Sequence, residues 1–236
     1  MEYRPRLSLD EYNVVLEYRK RKSCVLIIGD LHSPFIKTGY LEFCIKMNKK
    51  YNCTEVLFIG DILDNHASSY HESNPDGHSS GKELTLAEKE VRLWEVAFPK
   101  AKVCIGNHDE IPARKTLSSG VSNRWLKSPN EVLGVNWEFG EEFEIDGVLY
   151  LHGTAKKART RAKDELISIV QGHYHSESYV EYFVGLERKI FAMQVGCGID
   201  RRVYAMAYGK HFKKPHLNIG IVIDGKLAFL EYMELT

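Results

Sequence analysis

The sequence predicts an α/β fold, and three observations carry that expectation. Short apolar runs end in Gly-Asp or Gly-Asn, at Gly29-Asp30, Gly60-Asp61 and Gly106-Asn107. Stretches with helical spacing separate these runs. From Val135 onward the pattern changes to short strands joined by turn residues. Strands alternating with helices, then a β-rich half, fit two sheets packed face to face with helices outside.

At 236 residues the chain suits one domain, 1–236, with no second boundary or internal repeat. Lys plus Arg (32) balances Asp plus Glu (32), so net charge selects no class of partner. The five cysteines (Cys24, Cys44, Cys53, Cys104, Cys197) form no CxxC pair and are expected as buried free thiols in a reducing compartment. Neither a signal peptide nor an apolar run of ~20 residues is present, so the expected location is cytoplasmic, without membrane contact. No protein partner is identifiable.

Ser8-Leu9-Asp10-Glu11 has the form of a capping box, and residues 1–22 are read as an N-terminal helical extension. Cys24 to Ile28 is a buried strand ending in Gly-Asp. Thr38 is placed as the cap of a helix through Tyr51, with Leu41, Cys44, Ile45 and Asn48 on one stripe. Glu55 to Ile59 is the second strand and Val103 to Ile105 the third. Between them, 65–81 is rich in Ser, His, Asn, Pro and Gly and reads as a loop over the site. A helix from Lys82 to Ala97 follows it.

Short strands are expected at Asn136–Phe139, Glu142–Ile145 and Val148–Leu151, the last two joined by an Asp146-Gly147 turn. Lys156 to Asp164 is basic and helical, and Leu166 to Gln171 is a strand. Tyr179–Val184 with Arg188–Val195 forms one hairpin, and Leu217–Ile223 with Lys226–Tyr232 another.

Five motifs follow strand-like runs: Gly29-Asp30-Leu31-His32, Gly60-Asp61-Ile62-Leu63-Asp64, Gly106-Asn107-His108-Asp109, His152-Gly153 and Gly172-His173-Tyr174-His175. They hold five of the ten histidines. Carboxylate, amide and imidazole donors without thiolate suit manganese, iron, zinc, nickel or cobalt. Two such ions about 3.5–4 Å apart clamp a phosphoryl group and lower the pKa of a bridging water, whose hydroxide attacks phosphorus in line.

This array resembles the calcineurin-like metallophosphoesterase superfamily, whose motifs run D-x-H, G-D-x-x-D, G-N-H-(D/E), H and G-H-x-H. The resemblance implies a four-layer α-β-β-α sandwich of two mixed sheets with flanking helices. It also implies two divalent transition-metal ions, manganese foremost. Asp30, His32, Asp61 and His175 would hold one ion; Asp61, Asn107, His152 and His173 would hold the other. His108 would donate a proton to the leaving oxygen or stabilise charge on it, and Asp64 would orient or polarise His108. The implied activity is hydrolysis of a phosphomonoester or phosphodiester in a phosphorylated small molecule or a nucleic acid. A DNA or RNA nuclease of the same superfamily is the nearest alternative, and a non-catalytic phosphate-binding module is the alternative of another class.

Departures narrow the resemblance. Asn65 and His66 stand where protein phosphatases of the superfamily carry Arg-Gly, and Asp109 replaces their glutamate. The loop from Tyr70 to Gly77 resembles loops of small stand-alone members from bacteriophages and bacteria. Asp109 itself is read as the cap of the next helix. His66, two residues past Asp64, is a candidate substrate contact. Lys156, Arg159 and Lys163 would share a helix face, making Lys156 and Arg159 candidate phosphate contacts; a solvated helix face is the competing reading.

Overall fold

The computed structural model describes residues 8–10, 23–70, 74–200, 202–203 and 214–234. The expected N-terminal helix falls largely outside the described residues. Two mixed sheets form the centre. The first has the order β11-β10-β1-β2-β3-β4, built from β1 (Cys24–Ile28), β2 (Glu55–Phe58), β3 (Lys102–Cys104), β4 (Glu138–Gly140), β10 (Asn218–Ile223) and β11 (Leu227–Tyr232). Strands β1 to β4 run parallel, and β10 returns antiparallel beside β1. The second has the order β5-β6-β7-β9-β8, from β5 (Glu142–Ile145), β6 (Val148–Leu151), β7 (Ser168–Gln171), β8 (Tyr179–Val184) and β9 (Lys189–Gln194).

All five residues of β1 are buried, as expected for a strand covered on both faces. Cys24, Leu26 and Ile28 point outward, against helices α1 (Tyr40–Tyr51) and α2 (Ser80–Ala97) through Tyr40, Cys44 and Trp94. Val25 and Ile27 point inward, meeting Val148, Tyr150, Val170 and Met193 of the second sheet. On the far face of that sheet, Ala158 and Ala162 of α5 (Ala158–Glu165) pack on Ile169 and Ala192. These three apolar layers make the four-layer α-β-β-α sandwich. Each large side chain fully buried in them contributes about 1.5–3 kcal/mol relative to exposure. No helix among the described residues is long and apolar enough to cross a membrane.

Several boundaries differ from the sequence reading. Gly39, in the left-handed region at φ 86°, occupies the N-cap of α1 without a side-chain cap, so Thr38 does not cap it. The buried stripe is Tyr40, Cys44 and Met47 rather than Leu41, Cys44, Ile45 and Asn48. Tyr40 sets that rotation: its hydroxyl donates to Asn218 O at 2.8 Å and accepts from Gly29 N at 3.2 Å. Ser79 caps α2, which starts before Lys82. Strand β4 begins at Glu138 rather than Asn136 and extends the first sheet beside β3. Helix α5 begins at Ala158, so Lys156 precedes it and shares no helical face with Arg159 and Lys163.

Two α-helices lie between β3 and β4, α3 (Ile111–Ser118) and α4 (Pro129–Leu133), with a 3-10 turn at Asn123–Trp125 between them. Ser128 and Glu131 form a capping box on α4, with Pro129 at its start. The five cysteines are thiols rather than disulfides, Cys24 Sγ lies 3.3 Å from Cys53 Sγ, and Cys24, Cys44, Cys104 and Cys197 are buried.

Candidate metal centre

The motifs converge because β1, β2, β3, β6 and β7 all end on one side of the two sheets, and each motif sits just past a strand end. Three of the converging residues, His32 (φ 51°), Asp61 (φ 46°) and His173 (φ 71°), adopt left-handed backbone conformations. Such residues are uncommon outside glycine, and each costs about 1–3 kcal/mol that surrounding structure must offset. Tight packing holds the turns: a Cβ on Gly106 would lie 2.1 Å from Asp61 Oδ1.

Asp30, His32, Asp61 and His175 each offer one donor atom, all within 4.8 Å of one another. Asp61, His152 and His173 form a second such group, and Asn107 Oδ1 lies 3.0 Å from His152 Nε2. Asp61 belongs to both. Its Oδ1 accepts the His108 N–H at 2.8 Å. Its Oδ2 lies 3.2 Å from His152 Nε2 and 3.6 Å from His32 Nε2.

Buried neighbours fix the ring orientations. His32 Nδ1 donates to Asp64 Oδ1 at 2.6 Å, and His152 Nδ1 donates to the Ile59 carbonyl at 3.1 Å. A carbonyl oxygen only accepts, so the His152 Nδ1 carries hydrogen and its Nε2 faces the donor cluster. Asp30 Oδ2 accepts from His173 N at 2.9 Å and lies 3.0 Å from His175 Nε2. Asp30 Oδ1 is buried with no hydrogen-bond donor among the described residues. An orphaned oxygen on a buried carboxylate that belongs to the donor group fits cation ligation.

The charges are unevenly shared. Burial opposes ionisation of Asp61, but His152 and His32 override it and hold the carboxyl well below its usual range. Burial would lower His152, yet Asp61 and Asp30 push it up to about 10. Burial together with the charge on His152 brings His173 down to about 4. His108 is raised: burial lowers it, but Asp61 and the Asp64 carbonyl outweigh that.

Two positioning roles differ from the sequence reading. Asp64 reaches His108 through its backbone carbonyl, 2.6 Å from Nδ1, while its carboxylate serves His32 and stays 3.9 Å from His108. Asp109 does not cap α3. Its carboxylate accepts from Ile62 N (3.3 Å), Leu63 N (2.9 Å) and Gly106 N (3.0 Å), tying the second and third motifs together.

The candidate substrate residues separate. His66 is buried, and its Nε2 accepts from Asn74 N at 3.2 Å, so it braces its own loop. Arg159 stacks over Tyr179 at 4.1 Å and pairs with Glu181 at 3.4 Å, away from the donor cluster. Lys156 lines a cavity of about 400 Å³ beside His152 and Asn107, with Arg161, Glu141 and Glu142. Its ammonium is held by Asp164 at 2.6 Å.

Sequence reasoning missed two braces from α2. Glu83 accepts from His66 N and Ala67 N, and Glu90 accepts from Ser33 Oγ. A signal was present: Glu83 occupies the buried helix stripe of Ala87, Val91 and Trp94.

Sheets in this arrangement, with groups that could hold metal ions gathered at their strand ends, suit a metallohydrolase class of site. The family model of calcineurin-like phosphoesterases matches residues 25–195, and the chain belongs to that family of metal-dependent phosphoester hydrolases. Among solved structures, a metallophosphoesterase from Sphaerobacter thermophilus is 15% identical, with a TM-score of 0.51, covering 91% of this chain and 89% of its own. Vacuolar Protein Sorting 29 from Cryptosporidium parvum is 14% identical with a TM-score of 0.42, covering 92% and 100%. Yfce, a phosphoesterase from E. coli, is 11% identical with a TM-score of 0.39, covering 84% and 87%. The first of these likenesses supports the shared fold. No curated protein matches the chain.

Proposed function

We propose that the chain hydrolyses phosphoesters at a dinuclear centre. Asp30, His32, Asp61 and His175 would hold one divalent ion, and Asp61, Asn107, His152 and His173 the other. The observation that carries this reading is the membership of Asp61 in both donor groups. Manganese leads the candidates, with iron, zinc, nickel and cobalt behind it, because the donors are oxygen and nitrogen. Bound there, such ions supply Lewis-acid charge for phosphoryl oxygens and an activated water.

The protein's own groups do the rest. Asp64 and the Ile59 carbonyl hold His32 and His152 in the tautomers that direct Nε2 inward. The Asp64 carbonyl fixes Nδ1–H of His108, leaving Nε2 for the substrate. In its protonated form His108 donates from Nε2 to the leaving oxygen, and the nearby carboxylates favour that form. The proposed substrates are nucleotides or nucleic-acid ends, and the proposed location is cytoplasmic.

The test compares hydrolysis of an aryl phosphomonoester and a bis-aryl phosphodiester with each added metal. The expected result is metal-dependent turnover of at least one ester, abolished by Asp61→Ala. Two bound ions with no turnover of either ester would favour a phosphate-binding module instead.

A further inference from the structure

We propose that the α3 lobe, from Arg114 to Lys127, is a docking surface for single-stranded nucleic acid leading to the metal centre. The inference rests on the phosphoester-hydrolase reading above and names a substrate class for it.

Charge is the first observation. From Ile111 to Asn130 the sequence holds four cations, Arg114, Lys115, Arg124 and Lys127, and no Asp or Glu. Among the described residues none of the four forms an ion pair. The basic stretch beyond His152 is different. Lys156 pairs with Asp164, Lys157 with Glu177, Arg159 with Glu181 and Arg161 with Glu165. The cavity on that flank also carries Glu141 and Glu142, and Glu110 stands between it and the start of α3. A phosphate chain is therefore attracted on the α3 side and opposed on the other.

Aromatic exposure is the second observation. Residues 117–129 are exposed throughout. Trp125 is 84% exposed and Tyr70 56%. The Tyr70 ring lies 5.2 Å from the Arg114 guanidinium and 5.3 Å from the Lys115 ammonium. Stacking faces interleaved with cations form a platform for bases and phosphates without sequence preference.

Position is the third. Ile111 N donates to His108 O at 3.2 Å, so α3 starts directly from the third motif. Arg114 and Lys115 lie one turn further, about 5–6 Å along the axis. Lys115 Nζ also donates to Ser69 O at 3.4 Å, joining the lobe to the loop that follows Asp64. Phosphates bound here continue the line of phosphodiesters to the group at the metals. A membrane surface would also attract these cations and apolar tips, but the continuity with His108 favours a polymer whose every linkage is a phosphodiester.

The test uses the full chain loaded with metal and a labelled phosphorothioate oligo(dT) of about 20 nucleotides, which keeps the charge and resists cleavage. Fluorescence anisotropy reads affinity against salt. Trp125→Ala should weaken binding roughly 5- to 150-fold. Arg124→Glu with Lys127→Glu should weaken it and reduce the slope of log K against log salt by roughly 1.4, the loss of two phosphate contacts on a single strand. Melting temperatures check that both variants fold. Equal affinity in wild type and folded variants, or no oligonucleotide binding at low salt, overturns the proposal. Binding to phosphatidylglycerol vesicles without oligonucleotide binding overturns it in favour of a membrane surface. Hydrolysis of the bis-aryl diester, the aryl monoester and an unmodified oligonucleotide by the wild type is measured alongside. Turnover of the diester without oligonucleotide binding sinks the lobe alone; variant-sensitive binding with no turnover of the diester, the aryl monoester or an unmodified oligonucleotide supports the lobe and sinks the hydrolase reading.

Discussion

Asp64 and His32, thirty-two positions apart, meet in a 2.6 Å hydrogen bond inside the protein. The carboxylate fixes Nδ1–H of the ring and so aims Nε2 at Asp61 and His175. Groups that orient metal-binding histidines in this way are typically worth 10- to 100-fold in affinity. Asp64→Ala is expected to weaken metal binding by about that factor, whereas Asp64→Asn, which still accepts from Nδ1–H, should lose less. Equilibrium dialysis against manganese measures both. Unchanged affinity in Asp64→Ala would remove the orienting role.

His108 is held by a backbone carbonyl, so its removal should leave the ligand groups in place. His108→Ala is expected to keep its metal content and lose about 10²–10⁴ in kcat, the range of a positioned acid. A metal-loaded variant with full kcat on an unactivated ester would exclude the proton-donor role.

Metal binding should release protons. In the metal-free protein Asp61 and Asp30 overcome the effect of burial and raise His152 to about 10, so it is protonated at pH 7.5. Ligation needs the neutral ring. Affinity should therefore rise as pH rises from 6 towards 9 (about one log unit per pH unit for one proton). Calorimetry in buffers of different ionisation enthalpy counts the protons. Zero release at pH 7.5 would contradict the His152 assignment.

Asp109 braces the site by accepting three backbone N–H groups. Asp109→Ala leaves those donors without partners in a partly buried place and should destabilise the protein by about 2–4 kcal/mol. Urea unfolding of the metal-free protein measures this. A change below about 0.5 kcal/mol, the scale of a neutral surface substitution, would refute the brace.

What could be read from the sequence follows from distance along the chain. Each candidate donor sits within a few residues of a strand end, so local patterns single out Asp30, His32, Asp61, Asn107, His152, His173 and His175 as candidates. The strands β5 and β6 and their Asp146-Gly147 turn were equally legible, because a two-residue turn with both φ angles positive is written in the residues themselves. The braces were not. Asp109 acts on Ile62 and Leu63 and Glu83 on His66, so their partners are set by tertiary structure. The side chain of Arg159 turns outward because α5 starts at Ala158 and buries Ala158 and Ala162, a register that the cations alone do not reveal. The three-residue strand β4 carries too little pattern to assign its sheet.

The central claim is that Asp61 links two ions in one centre. Metal analysis of purified wild type and Asp61→Asn, paired with hydrolysis of a bis-aryl phosphodiester, tests it most directly. The account predicts two ions per wild-type chain, with metal content and turnover falling together in the variant. A variant that keeps both ions and its turnover, or a fully active wild type holding a single ion, would contradict it.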